Sequence, residues 1–444
     1  MEVIVLDFEL TGYRGDALKV LKEAHASIGD YIRAIVNGNI YEGILIPRTE
    51  YADDKHILIK LKSGYNVGLK ISPSIKIEVI KHEAKPAFIP PKPPKGKEGL
   101  PKIMLISTGG TIASKVDYRT GAVEPALTAS DLYGVIPELS EIANIETEIL
   151  FSEFSENLTP QHWKKLATTI ANMLEDDLAG IVVAHGTDTM GYTAAALSFA
   201  IQNSPIPIVL VGSQRSSDRP SSDAASNLIG AVLVASKAPF AEVVVVMHEG
   251  LSDELLAVHR GTKVRKCHTS RRDAFKSINV NPLAHVILDE NKIELLSQEF
   301  KPRDSSKKPI IKPDFHEKVT LLKFYPGMNS KIIDWFVEQN YKGIILEGTG
   351  LGHVGRYLFN SLKKAIDSGV FIGMTSQCIW GSVNMNVYNT GRDLQAIGVV
   401  PLGDMLPETS LVKLMWALAQ SKDLNEVRQI MLSDIAGEFS LRRF

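Results

Sequence analysis

Most of the chain alternates short apolar runs with longer amphipathic stretches. The runs fall at 103–106 (IMLI), 145–151 (IETEILF), 180–184 (GIVVA), 207–212 (PIVLVG) and 242–247 (EVVVVM). Runs this short and this rich in Val and Ile read as strands buried on both faces. Segments 160–177, 190–202 and 222–236 lie between them and carry helical patterns. Strands alternating with helices predict an α/β fold built on a doubly wound parallel sheet. Three later runs, VTLLKFYPG, GIILEGTG and VFIGMTSQ, predict a second and smaller sheet with its own helices.

Residues 1–84 read differently. IRAIVNGNIYEGILIPR, HILIKLKSG and YNVGLKI are rich in β-branched and aromatic residues and are broken at Asn-Gly and Ser-Gly. These are hairpin signals, and together they predict a small β-barrel. Segment 15–25 predicts a short helix. Residues 85–102, KPAFIPPKPPKGKEGLPK, hold six prolines and predict a semi-rigid linker. A second polar, proline-bearing stretch at 299–317 divides the body into a large part, 103–298, and a small part, 318–444.

Composition narrows the function classes. The 444 residues carry 49 Lys+Arg and 51 Asp+Glu, a formal charge of −2, which excludes a strongly cationic nucleic-acid binder. Two cysteines exclude a disulfide framework and fit a reducing compartment. No run approaches the length of a membrane span, and MEVIVLDFEL does not read as a signal peptide. The expectation is a cytoplasmic enzyme or enzyme subunit with no membrane partner.

Ligands of open α/β sheets bind beyond the C-terminal ends of the strands. After IMLI comes Ser107-Thr108-Gly109-Gly110-Thr111, a turn that lets a backbone approach a ligand closely and presents a hydroxyl. After GIVVA comes His185-Gly186-Thr187-Asp188-Thr189, ahead of a helical segment. Each turn alone also reads as a helix start with Thr or Asp as cap. Together they place Thr111, Thr187 and Asp188 around one cleft. A threonine needs a neighbouring base or pKa-lowering group to act as a nucleophile. Tyr118, in the loop KVDYRTGAV, and Lys266, in RGTKVRKCHTSRRDAF, are candidates, each with an ordinary surface role as the alternative. No HExxH or Cys/His zinc spacing occurs, so no metal is expected, and His185 reads as orienting its turn.

STGGTIAS at 107–114 and VVAHGTDTMGYTAAAL at 182–197 resemble, in order and spacing, the two signature blocks of bacterial-type L-asparaginases. The resemblance covers about residues 101–444. It implies that Thr111 is a nucleophile activated by Tyr118, and that Thr187, Lys266 and Asp188 form a second group. It implies that Ser155, in FSEFSENLTP, holds the substrate's α-carboxylate and Asp188 its α-ammonium, with Thr187 also at the substrate. Lys263 competes with Lys266, and Ser152 with Ser155, for these places. The family's two-domain body also implies at least a homodimer, in which the small domain helps close a neighbour's site.

The barrel, proline linker and asparaginase-like body in sequence resemble the D-subunit family of archaeal glutamyl-tRNA(Gln) amidotransferases. That resemblance implies a glutaminase. Its ammonia would pass to an E subunit that uses ATP and Mg2+ to convert Glu-tRNA(Gln) to Gln-tRNA(Gln). It implies a homodimer within a heterotetramer, tRNA(Gln) held mainly by the partner, and no cofactor in this chain. The rival readings are a free asparaginase or glutaminase, a non-catalytic tRNA scaffold, and a dinucleotide enzyme. The last rests on Gly350-x-Gly352-x-x-Gly355 after GIILE, where the next strand, VFIGMT, ends without an acidic residue.

Overall fold

The computed structural model describes residues 10, 12–48, 53–61, 66–82, 97–109, 136–174, 177–215 and 222–440, with the backbone of 114–116 and 123–125. Thr111 and Tyr118 lie outside the described residues, as does most of the proline linker.

The N-terminal part is a short helix, Gly15–Glu23, packed on a five-stranded antiparallel sheet. Asn37 and Gly38 both have positive φ, +52° and +81°, and join Tyr31–Val36 to Asn39–Leu45. Two successive left-handed residues make the tight turn whose twist matches a hairpin, which is why Asn-Gly sits there. Among the described residues the outer strands, Asn66–Lys70 and Lys76–Lys81, do not pair with each other. The expected barrel is therefore an antiparallel sheet here.

The large part holds an eight-stranded sheet. Five strands, Asn144–Ile149, Lys102–Ser107, Gly180–Ala184, Ile208–Val211 and Val243–His248, run parallel in that spatial order. Leu255–Arg260, Ala284–Ile287 and Lys292–Leu295 then continue the sheet antiparallel. The expectation of a wholly parallel sheet thus needs correction. Past Val243–His248 the chain returns by a short loop rather than a helical crossover, and a short connection can only lay strands antiparallel.

Side chains alternate across this sheet, as a period of two requires. Ile181, Val183, Ile208 and Leu210 face the helices Pro160–Met173 and Met190–Ala200. Val182, Ala184, Val209 and Val211 face the helix Ala224–Lys237. Both faces are covered, so these strands are apolar throughout.

The small part is a four-stranded parallel sheet over Val319–Lys323, Gly343–Gly348, Phe371–Ser376 and Val400–Pro401. Its helix Pro407–Gln420 packs on the helix Met190–Ala200 of the large part, with Phe199 stacked on Trp416. One apolar core therefore runs through both parts. The glycines of the GxGxxG stretch turn the chain within this part, and Gly352 at φ +101° has no room for a side chain. A Cβ there would collide with Val383, so the approach that a pyrophosphate would need is filled by protein.

Candidate active site

The parallel strands Lys102–Ser107 and Gly180–Ala184 are neighbours in register, with Ser107 opposite Ala184. Their following turns therefore leave the sheet side by side. Thr108 is buried and ties them together, its N–H and its hydroxyl both donating to the Ala184 carbonyl at 3.0 Å. Gly109, at φ +106°, continues the first turn against the Glu153 backbone, where a Cβ would collide with the carbonyl oxygen. Only glycine supplies both the conformation and the close approach. The first turn thus leads towards Thr111, beyond the described part.

In the second turn Thr187 is buried and Asp188 is open to solvent, its side chain 67% exposed. Lys266 ends the strand Val264–Lys266, whose pairing with Phe275–Ser277 sets it opposite Phe275. Its ammonium donates to Thr187 Oγ1 at 2.9 Å and to Asp188 Oδ1 at 2.8 Å. The three residues thus meet, although 78 positions separate Lys266 from Asp188. Lys263 goes elsewhere. It is fully buried and donates to Asp404 Oδ2 at 2.6 Å, joining the large part to the small one. Burial pushes the Lys263 ammonium below its usual pKa, and the Asp404 carboxylate opposes that shift.

Ser155 and Ser152 separate in the same way. Ser155 is buried and Ser152 exposed. A Cβ on Gly186 would lie 2.8 Å from Ser155 Cβ and 2.9 Å from its Oγ, so the bare glycine lets Ser155 stand against the turn. Thr189 begins the helix Met190–Ala200, but its hydroxyl does not cap it. It donates instead to the Ser155 carbonyl at 2.7 Å. The cap reading of this turn therefore gives way to a cross-link between two loops at the strand ends. Gly212, after the next strand, leaves room for Thr187 Cγ2 and the His185 carbonyl, each 2.8 Å from where its Cβ would be.

His185 is fully buried, and burial pushes its imidazole down to about 4, with its bond to the Gly186 carbonyl opposing the shift. Nδ1 lies 2.6 Å from that carbonyl and Nε2 lies 2.9 Å from Thr193 Oγ1. Trp163 Nε1 donates to the same hydroxyl at 3.1 Å. Sequence reading singled out neither Thr193 nor Trp163. Thr193 lies inside the VVAHGTDTMGYTAAAL block and was within reach, whereas Trp163 sits on a different helix with no local signal. Among the described residues no group of three or more His, Cys, Asp or Glu is placed to hold a metal ion.

Comparison with known proteins adds three family matches. "Asparaginase, N-terminal" matches residues 102–301, "Glutaminase/Asparaginase C-terminal domain" 318–431, and "GatD N-terminal domain" 26–80. The D subunit of the glutamyl-tRNA(Gln) amidotransferase from Metallosphaera sedula is 50% identical over 434 residues, 98% of this chain and 97% of that one. Its counterpart from Pyrococcus horikoshii is 50% identical over 430 residues, covering 95% and 96%. Among solved structures, the thermostable L-asparaginase from Thermococcus kodakarensis superposes with a TM-score of 0.69 at 34% identity, covering 76% of this chain and 99% of its own. L-asparaginase I from Vibrio cholerae gives 0.68 at 31%, covering 77% and 100%. The asparaginase matches cover the body that carries the Thr187–Lys266–Asp188 group, and the third match covers the N-terminal sheet. The chain belongs to the D-subunit family of glutamyl-tRNA(Gln) amidotransferases.

Proposed function

We propose that this chain hydrolyses the side-chain amide of glutamine and releases ammonia to an E subunit, which amidates Glu-tRNA(Gln) with ATP and Mg2+. The observation that carries the reading is the Lys266 ammonium held between the Thr187 hydroxyl and the Asp188 carboxylate at a strand end. Thr187 Oγ1 accepts from Lys266, so its own proton is left to donate into the cleft. A hydroxyl so polarised suits an oxyanion or a departing amine.

In this reading Thr111, assisted by Tyr118, attacks the amide carbon. The C–N bond breaks, nitrogen leaves with a proton as ammonia, and a glutamyl ester forms on the threonine oxygen. Water, oriented by Thr187, Lys266 and Asp188, then cleaves the ester to glutamate. The exposed Asp188 carboxylate is available to the substrate's α-ammonium, and the Ser155 hydroxyl to its α-carboxylate. The chain itself needs no cofactor for these steps. The N-terminal sheet docks the partner, and two copies pair within a cytoplasmic heterotetramer whose tRNA is held mainly by the partner.

A free asparaginase or glutaminase would use the same cleft. The N-terminal match at 26–80 favours the amidotransferase reading, because the solved asparaginases align with only 76–77% of this chain. The test is co-expression with an E subunit and measurement of glutamine-dependent conversion of Glu-tRNA(Gln). Conversion is expected with the native chain and is expected to fall by orders of magnitude with Thr111→Val or Thr187→Val. Glutaminase activity unaffected by Thr187→Val would overturn the assigned roles.

A further inference from the structure

We infer that Trp163 and Thr193 are positioning residues, which fix the tautomer of His185 and through it the peptide plane that presents Thr187. The inference rests on the Thr187 role proposed above, but its geometry stands apart from it.

The direction of every proton in this chain of contacts is forced. An indole N–H only donates, so Thr193 Oγ1 must accept from Trp163 at 3.1 Å. A carbonyl only accepts, so the His185 nitrogen 2.6 Å from the Gly186 oxygen, Nδ1, must carry a proton. His185 is fully buried, and among the described residues neither ring nitrogen faces a carboxylate. An imidazolium there would be an uncompensated buried charge, so the ring is neutral. Its single proton is then on Nδ1, and Nε2 is a bare lone pair. The 2.9 Å contact between Nε2 and Thr193 Oγ1 must therefore be a hydroxyl donating to the ring. The order is Trp163 N–H to Thr193 O–H to His185 Nε2, then His185 Nδ1–H to Gly186 C=O.

The last link matters for the chemistry. The Gly186 carbonyl belongs to the peptide unit whose N–H is that of Thr187. A trans peptide is planar, with its C=O and N–H pointing opposite ways. Holding the carbonyl towards His185 therefore turns the Thr187 N–H away from the imidazole. It also sets where the next atoms, those of Thr187 itself, begin. The bonds of Trp163 and Thr193 are spent on the imidazole behind the turn, while Lys266 holds the Thr187 hydroxyl itself. They act by orientation, and a displacement of an ångström in a reacting group can cost about 100-fold in rate.

With the indole N–H holding one lone pair of Thr193 Oγ1, the hydroxyl proton is aimed at Nε2. Removing that donor lets the hydroxyl rotate and accept from Nε2–H, which would move the ring proton off Nδ1 and release the Gly186 carbonyl. The test is long-range proton–nitrogen correlation NMR on the full chain labelled at histidine nitrogens, with the His185 signals assigned by their loss in His185→Gln. The native chain should show Nδ1–H His185 at pH 7, and Trp163→Phe should show a population with the proton on Nε2. In steady-state glutaminase assays Thr193→Val should lower kcat about 10- to 100-fold with KM within about twofold. Thr193→Ser, which keeps the hydroxyl, should restore most of it. A native His185 protonated on Nε2, or on both nitrogens, at pH 7 would overturn the inference whether or not the glutaminase reading holds. So would a Thr193→Val enzyme with native kcat. If the native chain lacked glutaminase activity but kept the Nδ1–H ring, the functional reading would fall and the positioning chain would remain.

Discussion

Lys263 and Lys266 are three residues apart in sequence, yet one ammonium meets Asp404 at 2.6 Å and the other meets Asp188 at 2.8 Å. Lys263 Nζ is enclosed between the two parts of the body, and Lys266 Nζ lies at a strand end between Thr187 and the solvent-exposed Asp188. The two lysines should therefore fail differently when replaced. Lys266→Met is expected to lower kcat by orders of magnitude with little change in the urea midpoint. Lys263→Met leaves the Asp404 carboxylate without its buried partner, a loss of about 3–5 kcal/mol. Urea titrations and glutaminase assays on both variants check this, and an unfolding defect in Lys266→Met with normal kcat would reverse the assignment.

Gly186 and Ser155 give a steric test of the carboxylate-holding role. A methyl group at 186 would meet Ser155 Cβ at 2.8 Å and Oγ at 2.9 Å, closer than atoms pack. Gly186→Ala is expected to push Ser155 out of place and raise KM for glutamine about 10-fold or more, since a hydrogen bond to a charged group contributes about 1.5–3 kcal/mol. Ser155→Ala should raise KM similarly, whereas Ser152→Ala should leave it unchanged. Kinetics in which Ser152→Ala carries the KM effect would move the role to that residue.

Two buried histidines predict a pH dependence of stability. Burial pushes His185 down to about 4, and burial with the nearby Lys276 charge pushes His259 down to about 3, against an ordinary value of 6.5. Below pH 6.5 the unfolded chain takes up protons that the native chain refuses. Their contribution is therefore complete above about pH 6.5 and is lost progressively as pH falls towards 4 and 3. Each histidine should cost about 1.4 kcal/mol per pH unit inside that window. Urea midpoints between pH 6.5 and 5, above the main carboxylate range, should fall accordingly. A flat profile there would mean that both rings take up protons in the native state as readily as in the unfolded chain, and half the slope that one of them does.

Lys413 and Glu438 form a second buried ion pair, both side chains 0% exposed. Glu438 also accepts from the backbone N–H groups of Ile435 and Ala436, so the pair pins the segment after the helix Leu424–Leu432. Lys413→Met should destabilise the chain by about 3–5 kcal/mol, and adding Glu438→Leu should recover a large part, because the stranded charge is then gone. Thermal unfolding of the single and double variants reads the difference. Equal losses in both would show that packing, and not the unpaired carboxylate, dominates.

Much of the architecture was legible along the chain. The strand GIVVA at 180–184 has the bounds its apolar run predicts, and 102–107 and 243–248 differ from theirs by a residue or two at the ends. Strands covered on both faces leave a continuous apolar run, and such runs are local signals. The Asn37-Gly38 hairpin was legible because the turn needs two residues that tolerate positive φ. The antiparallel half of the large sheet was not, because strand direction depends on connection path and not on the residues within the strand. Closure of the N-terminal sheet was not legible for a related reason, since hairpin signals give neighbours but not which outer strands meet.

Local sequence dictates which residue types stand at the strand ends: hydroxyls, an aspartate and the glycines that let backbones approach. It also sets a proline-rich stretch between the segment of the N-terminal family match and the asparaginase-like body. Three-dimensional pairing was needed to select which of two nearby lysines reaches Thr187 and Asp188 and which of two serines stands buried against the turn. It was needed again to bring Trp163 and Thr193 behind His185. Those choices depend on where side chains point after strands from distant stretches have paired. A strand reverses its side chains every residue, and the pairing of Lys266 opposite Phe275 fixes a direction that no local pattern encodes.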